Sequence, residues 1–148
     1  MDNKVVEELN AILKGEHMGI NAYDRLINDC KDEKVRSELK KIQNDHIKHT
    51  QQLASRIEAL GGKPQHGTGM GGLMASVMGN VESMTRSDTL NVLKRAYDGE
   101  DKGIAMAEEI IKGDLDEESN KLVKEILSED HDHLKKMARM IGEYENRN

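Results

Sequence analysis

The chain of 148 residues has no phenylalanine, no tryptophan and three tyrosines, so its interior must be built from Leu, Ile, Val, Met and Ala, a diet that favours helices over strands. Its single proline, Pro64, lies between two long segments and interrupts neither, so long helices are permitted on both sides. Cys30 stands alone, which excludes an intramolecular disulfide and any cysteine-based metal or redox motif. No apolar run approaches the ~20 residues that span a bilayer, and the opening MDNKVVEELN lacks the basic region and apolar stretch of a signal peptide. A cytoplasmic location without membrane contact is expected. The net charge of −6 comes from 34% charged residues of both signs, interspersed. Such a surface has no basic stripe for nucleic acid.

What the chain does have is a duplication. Residues 9–60 and 93–144 align without a gap at an offset of 84, with thirteen of 52 positions identical. The identities include Glu16 with Glu100 and His49 with His133, and 33 residues separate acid from histidine in both copies. A duplicated acid-plus-histidine pair between helices is how a bundle builds a two-fold symmetric metal site. The length suits a single domain, 1–148, with hairpin repeats 9–60 and 93–144 and a crossover 61–87.

Four segments carry apolar residues at alternating spacings of three and four, the mark of one helix face. The first stripe includes Val5, Leu9, Ile12, Ile20, Tyr23 and Ile27; its sole gap is position 16. The stripe through Val35, Ile42, Leu53 and Ile57 is broken at 46 and 49. The stripe through Leu93, Tyr97, Ile104 and Ile111 is broken at 100, and that through Val123, Ile126, Met137 and Ile141 at 130 and 133. This pattern predicts helices near 3–28, 32–60, 88–113 and 116–146. Asp32 and Asp116 are expected to cap the second and fourth, and Ser87 or Asp88 the third. Short connections make each pair an antiparallel hairpin. Between the hairpins, GGKPQHGTGMGG reads as irregular chain. LMASVMGNVESM, with Leu73, Val77, Val81 and Met84 on one side, reads as a short amphipathic helix within a crossover that returns along the bundle. The apolar side of that helix is the expected contact of a homodimer.

The gaps are filled by Glu16, His46, His49, Glu100, Asp130 and His133. In an antiparallel hairpin, residues equidistant from the turn lie at one height. The midpoint of 16 and 46 is residue 31, and that of 100 and 130 is 115, both inside turns. Glu16 is therefore expected to face His46 and His49, and Glu100 to face Asp130 and His133, each pair three apart and on one helix face. If the hairpins pack by the symmetry of their repeat, three carboxylates and three imidazoles converge at mid-bundle. Burying the carboxylates without cations is strongly unfavourable, and this donor set suits iron, manganese or zinc. The alternative is a Glu–His–Asp hydrogen-bond network without metal. His17 and His131 point around their helices and are read as solvent or outer-shell residues, Tyr23 and Tyr97 as core filler.

With these residues in place, the chain resembles the ferritin-like di-iron carboxylate proteins, whose motif is one Glu on a first helix and Glu-x-x-His on its partner, twice over. More narrowly it is similar to a bacterial ferritin-like family of unknown function, through GEHMGINAYDRLI, ALGGKPQHGTGMGG and RAYDGEDKGIAMAEEI. The resemblance implies an all-α antiparallel four-helix bundle that binds metal, with Glu16, Glu100, His49 and His133 at terminal-ligand positions and Asp130 at a bridging one. His46 occupies the other bridging position and departs from the pattern. One imidazole nitrogen does not bridge two metals as a carboxylate does, which leaves either a single carboxylate bridge or one metal. Asp45 and Glu129, four residues before each distal histidine, match positions where an outer acid orients a ligating imidazole.

Two classes of function follow. One is metal binding without turnover, for storage or stability, with iron expected first and manganese or zinc as alternatives; a structural or stress bundle without metal is its limiting case. The other is a di-iron oxidoreductase that reacts with oxygen or peroxide. It would need an external electron donor, because one cysteine cannot ligate a rubredoxin-type iron centre.

Overall fold

A computed structural model describes residues 3–65 and 88–147, and among them the regular structure is entirely α-helical. The helices are α1 (Asn3–Asp29), α2 (Glu33–Ala59), α3 (Thr89–Ile111) and α4 (Glu117–Glu145), within one or two residues of the ends the sequence predicts. The starts of α2, α3 and α4 are set by aspartates. Asp32 Oδ1 accepts from the Val35 amide at 3.0 Å, Asp88 Oδ1 from Asn91 at 3.2 Å and Asp116 Oδ2 from Ser119 at 3.1 Å, each satisfying a donor that a helix start leaves orphaned. The end of α2 is set by Gly61, whose φ of 84° is the left-handed conformation glycine adopts without strain. The Gly61 and Gly62 amides turn back onto the Glu58 and Ile57 carbonyls, the paired bonds of a helix-terminating Schellman motif.

The chain just beyond that turn is tied to α1. The buried Asn10 donates from its amide to the Lys63 carbonyl at 3.0 Å and accepts from the Gln65 amide at 2.9 Å. The rest of the expected crossover, with its short helix and the contact face at Leu73, Val77 and Val81, lies outside the described residues.

Helix α1 packs against α2 and α3, and α4 against α3 and α2. The apolar faces gather into two clusters. One joins Tyr23, Leu26 and Ile27 of α1 to Val35, Leu39 and Ile42 of α2, Val92, Leu93 and Ala96 of α3, and Met137 and Met140 of α4. The other joins Leu9, Ile12 and Leu13 of α1 to Leu53 and Ile57 of α2, Ile104 and Ala107 of α3, and Val123, Ile126 and Leu127 of α4. The C-terminal half of α1 thus shares an end with the N-terminal half of α3, so these helices run antiparallel, as do α2 and α4. The connection from α2 to α3 must accordingly cover the length of the bundle. Leu9 and Leu93, 84 residues apart, sit in opposite clusters. Between the clusters lies a polar layer. No described helix is long and apolar enough to cross a membrane.

Candidate metal centre

All six residues that interrupt the apolar stripes are buried, and they lie in the polar layer: Glu16 on α1, His46 and His49 on α2, Glu100 on α3, Asp130 and His133 on α4. Each sits where the next residue of its stripe would face the core, so the helix period that builds the clusters also aims these side chains inward. Glu16 Oε1 is 2.5 Å from His46 Nδ1 and 3.4 Å from His49 Nδ1. Glu100 Oε2 is 2.9 Å from His133 Nδ1, and Asp130 Oδ1 is 3.5 Å from the same nitrogen and 4.0 Å from His49 Nδ1. Each glutamate therefore meets the histidine side of its own hairpin, as the midpoint argument predicts. His46 also reaches the other hairpin, with Nε2 2.9 Å from Glu100 Oε1.

Two overlapping groups result. Glu16, His46, His49 and Asp130 offer donor atoms that all lie within 4.8 Å of one another, and so do His46, Glu100, Asp130 and His133. His46 and Asp130 belong to both. They are the two positions at which the ferritin-like motif carries bridging carboxylates.

The outer nitrogens of the distal histidines are held crosswise. His49 Nε2 lies 2.8 Å from Glu129 Oε1, and His133 Nε2 lies 2.7 Å from Asp45 Oδ2. Asp45 and Glu129 are the acids singled out beside the histidines in sequence, but each serves the histidine of the other hairpin. An Nε2–H held by a carboxylate leaves the Nδ1 lone pair facing inward and makes it a better ligand.

Sequence reasoning missed the part played by Tyr23. Its buried hydroxyl donates to Glu100 Oε1 at 2.7 Å, and its ring stacks on His46 with centroids 5.6 Å apart. The signal was present: Tyr23 is two turns from Glu16 on the same stripe, and a buried phenol needs an acceptor. Its counterpart 84 residues on is Ala107, so this bond has no mate on the other side. His17 is half-buried, and His131 is exposed with Nε2 3.4 Å from Glu108; neither joins the cluster. His66 lies outside the described residues.

Without metal, protons must hold the layer together. Burial works against a charged His46, yet its bonds to Glu100 and Glu16 and their charge raise its pKa to about 11. Burial likewise opposes a charged His133, and Asp130, Glu100 and Asp45 raise it to about 10; His49 is raised by Glu16 and Glu129 against the same penalty. Burial pushes Glu16 and Glu100 upward, but the histidines outweigh it and hold both carboxylates below their ordinary value. Asp130 goes the other way: burial, aided by the charges of Glu100 and Glu16, holds its carboxyl above the ordinary value despite the nearby His133 and His46.

Two buried atoms in the layer have no hydrogen-bond partner, His49 Nδ1 and Asp130 Oδ1. Orphaned polar atoms at such a depth are costly, and both are ligand atoms of the first group. Three carboxylates and three imidazoles form a mixed oxygen and nitrogen set of the kind that iron, manganese and zinc accept. The residues present fit a metal.

Solved structures with the same fold are ferritin-like. A two-domain protein of Anabaena variabilis, with DJ-1/ThiJ/PfpI-like and ferritin-like domains, is 16% identical with a TM-score of 0.81 over 100% of this chain and 39% of that one. The present chain thus spans well under half of that protein's length. A dodecameric thioferritin of Bacteroides fragilis, a bacterioferritin-related protein, is 20% identical with a TM-score of 0.79 over 99% of this chain and 90% of that one. The Desulfovibrio desulfuricans bacterioferritin, a diiron protein, is 21% identical with a TM-score of 0.72, over 97% and 81%. At these identities the likeness is one of fold. No curated protein sequence matches the chain. A family model does match, over residues 4–113, well over half of the chain, with Glu16, His46, His49 and Glu100 inside the matched span; the chain is therefore a member of the family described as domain of unknown function DUF2383, and is itself a ferritin-like four-helix bundle with a buried carboxylate and histidine layer compatible with a metal site.

Proposed function

We propose that this bundle binds a transition metal, iron in the first place, through Glu16, His46, His49, Glu100, Asp130 and His133, and that holding the metal is its function. The observation that carries the reading is the convergence of six buried donors, two of them with unpartnered atoms, between two apolar clusters. Iron is favoured over manganese and zinc by the diiron site of the bacterioferritin that shares the fold. The residues would do three things for the ion: supply negative charge from both hairpins, orient the imidazoles through Asp45 and Glu129, and exclude water by the clusters above and below. The metal content of protein purified without added metal, with anomalous scattering at the iron and zinc edges, tests the reading. His49→Ala and His133→Ala should each lower metal content and melting temperature together, because an ion that binds only the native state stabilises it, by about 2.7 kcal/mol at a hundredfold excess over Kd. A protein whose melting temperature ignores iron, manganese and zinc alike does not bind them here.

A second reading, oxidoreductase, draws on Tyr23. A bound redox metal would supply one-electron chemistry toward oxygen or peroxide, and the Tyr23 hydroxyl is a hydrogen-bond donor already seated on Glu100. With Cys30 the lone cysteine, electrons would come from an external donor. Consumption of peroxide by ferrous-loaded protein, compared with free ferrous ion at equal concentration, separates the two readings. For assembly we propose a homodimer; light scattering decides between it, a monomer and a larger particle such as the dodecamer of the Bacteroides fragilis protein.

A further inference from the structure

We propose that His46 is a two-ended ligand, one ring nitrogen for each of two metal ions, so that an imidazole ring rather than a pair of carboxylates spans the centre. The inference deepens the metal-binding reading and rests on it. His46 is the histidine in the layer with both nitrogens turned toward inward carboxylates. Nδ1 faces Glu16, and Nε2 faces both oxygens of Glu100, at 2.9 and 3.2 Å. His49 and His133 instead commit Nε2 to an outer acid and have only Nδ1 to give. The ring of His46 is fixed in this attitude by the stacked Tyr23, at an interplanar angle of 25°.

Divided at His46, the layer gives two matched donor sets. One is Glu16, His49 Nδ1 and His46 Nδ1; the other is Glu100, His133 Nδ1 and His46 Nε2. Asp130 lies within reach of both. Each set is one carboxylate and two imidazole nitrogens, three of the four ligands a tetrahedral ion takes. Seating an ion between His46 Nδ1 and Glu16 requires that pair to open from 2.5 Å to about 3.3 Å, the spacing of donors around a tetrahedral ion with bonds of about 2.0 Å. The flexible glutamate side chain can supply that shift.

Charge supports the same arrangement. Two divalent ions bring four positive charges, and Glu16, Glu100 and Asp130 supply three negative ones. Displacing both ring protons of His46 to solvent as the ions bind makes the ring an imidazolate, the fourth negative charge, and the buried layer becomes neutral. Two ions held this way stand about 6 Å apart, from two metal–nitrogen bonds of about 2.0 Å and the width of the ring. A carboxylate-bridged pair stands at about 3.5–4 Å.

The test loads metal-free protein with Co2+ and locates the ions by anomalous diffraction, with stoichiometry from metal analysis. Two ions about 6 Å apart on either side of His46 are expected. In His46→Gln the second ion should be lost, and in His46→Glu the separation should contract to about 3.5–4 Å; circular dichroism of the metal-free variants checks that both fold. A single ion in the wild type, a wild-type pair at 3.5–4 Å, or an unchanged pair in His46→Gln would each overturn the inference while leaving the metal-binding reading standing. Absence of any bound ion would remove both.

Discussion

At the scale of single residues, the polar layer is a set of shifted titrations, and their signs fix how the metal-free protein responds to pH. His46 and His133 are raised from 6.5 to about 11 and about 10. Their contribution is fully present below pH 6.5 and is lost as pH rises through those values. Glu16 and Glu100 are lowered from 4.5, so theirs is present above pH 4.5 and lost as pH falls. Asp130, raised from 3.8, acts in the opposite sense and trims stability as it ionises. Urea unfolding of the metal-free protein should therefore show its highest stability between pH 4.5 and 6.5 and a decline on either side. Metal uptake should instead improve with rising pH, because each ion competes with the protons on its ligands. Tyr23→Phe removes a hydroxyl bonded to the buried Glu100. It should cost about 1.5–3 kcal/mol in urea unfolding, the range for a hydrogen bond to a charged group.

At the scale of helices, the features legible in the sequence were those whose cause is local. Stripe spacing located all four helices, and Asp32 and Asp116 were readable as caps because an aspartate before an apolar stripe has an orphaned amide within reach. The height of the six polar residues was legible too, since it depends only on counting from a turn. The crosswise pairs His49–Glu129 and His133–Asp45, and the Tyr23–Glu100 bond, were not. Each joins two hairpins, and no spacing within one hairpin determines which neighbour lies across the bundle. Asp116 shows how a local device gains a longer reach: beyond capping α4 it takes Arg56 of α2 at 2.8 Å. Asp116→Ala should cost about 1–2 kcal/mol, more than Asp88→Ala, which among the described residues loses a cap bond at an exposed position. Gly61→Ala forces a side chain into the left-handed region and should lower stability by about 1 kcal/mol. Thermal melts of the three variants, under one buffer and metal-free, give the order.

At the scale of the whole molecule, a continuous core has been traded for a polar middle. Replacing Glu16, His46, His49, Glu100, Asp130 and His133 together by leucine would join the two clusters into one. Exchanging buried ion pairs for packed apolar residues is commonly stabilising by about 1–4 kcal/mol. The sextuple variant should melt higher than the metal-free wild type and show no response to iron, manganese or zinc. A lower melting temperature would mean that the polar layer is itself a stabilising network.

The division of the ligands between the hairpins has a consequence for reconstitution. Residues 3–65 carry Glu16, His46 and His49, and residues 88–147 carry Glu100, Asp130 and His133, so the first half lacks the Asp130 that reaches its donors, the second lacks His46, and each lends the other the acid that steadies its histidine. Severed between 65 and 88 and mixed, the two peptides would expose complementary apolar faces, yet joining them in trans costs the translational freedom that the covalent crossover had already removed. An ion added to the mixture would act as a molecular glue. Size-exclusion chromatography of the two peptides should then show a heterodimer whose apparent affinity rises with Zn2+ and falls again on adding a chelator.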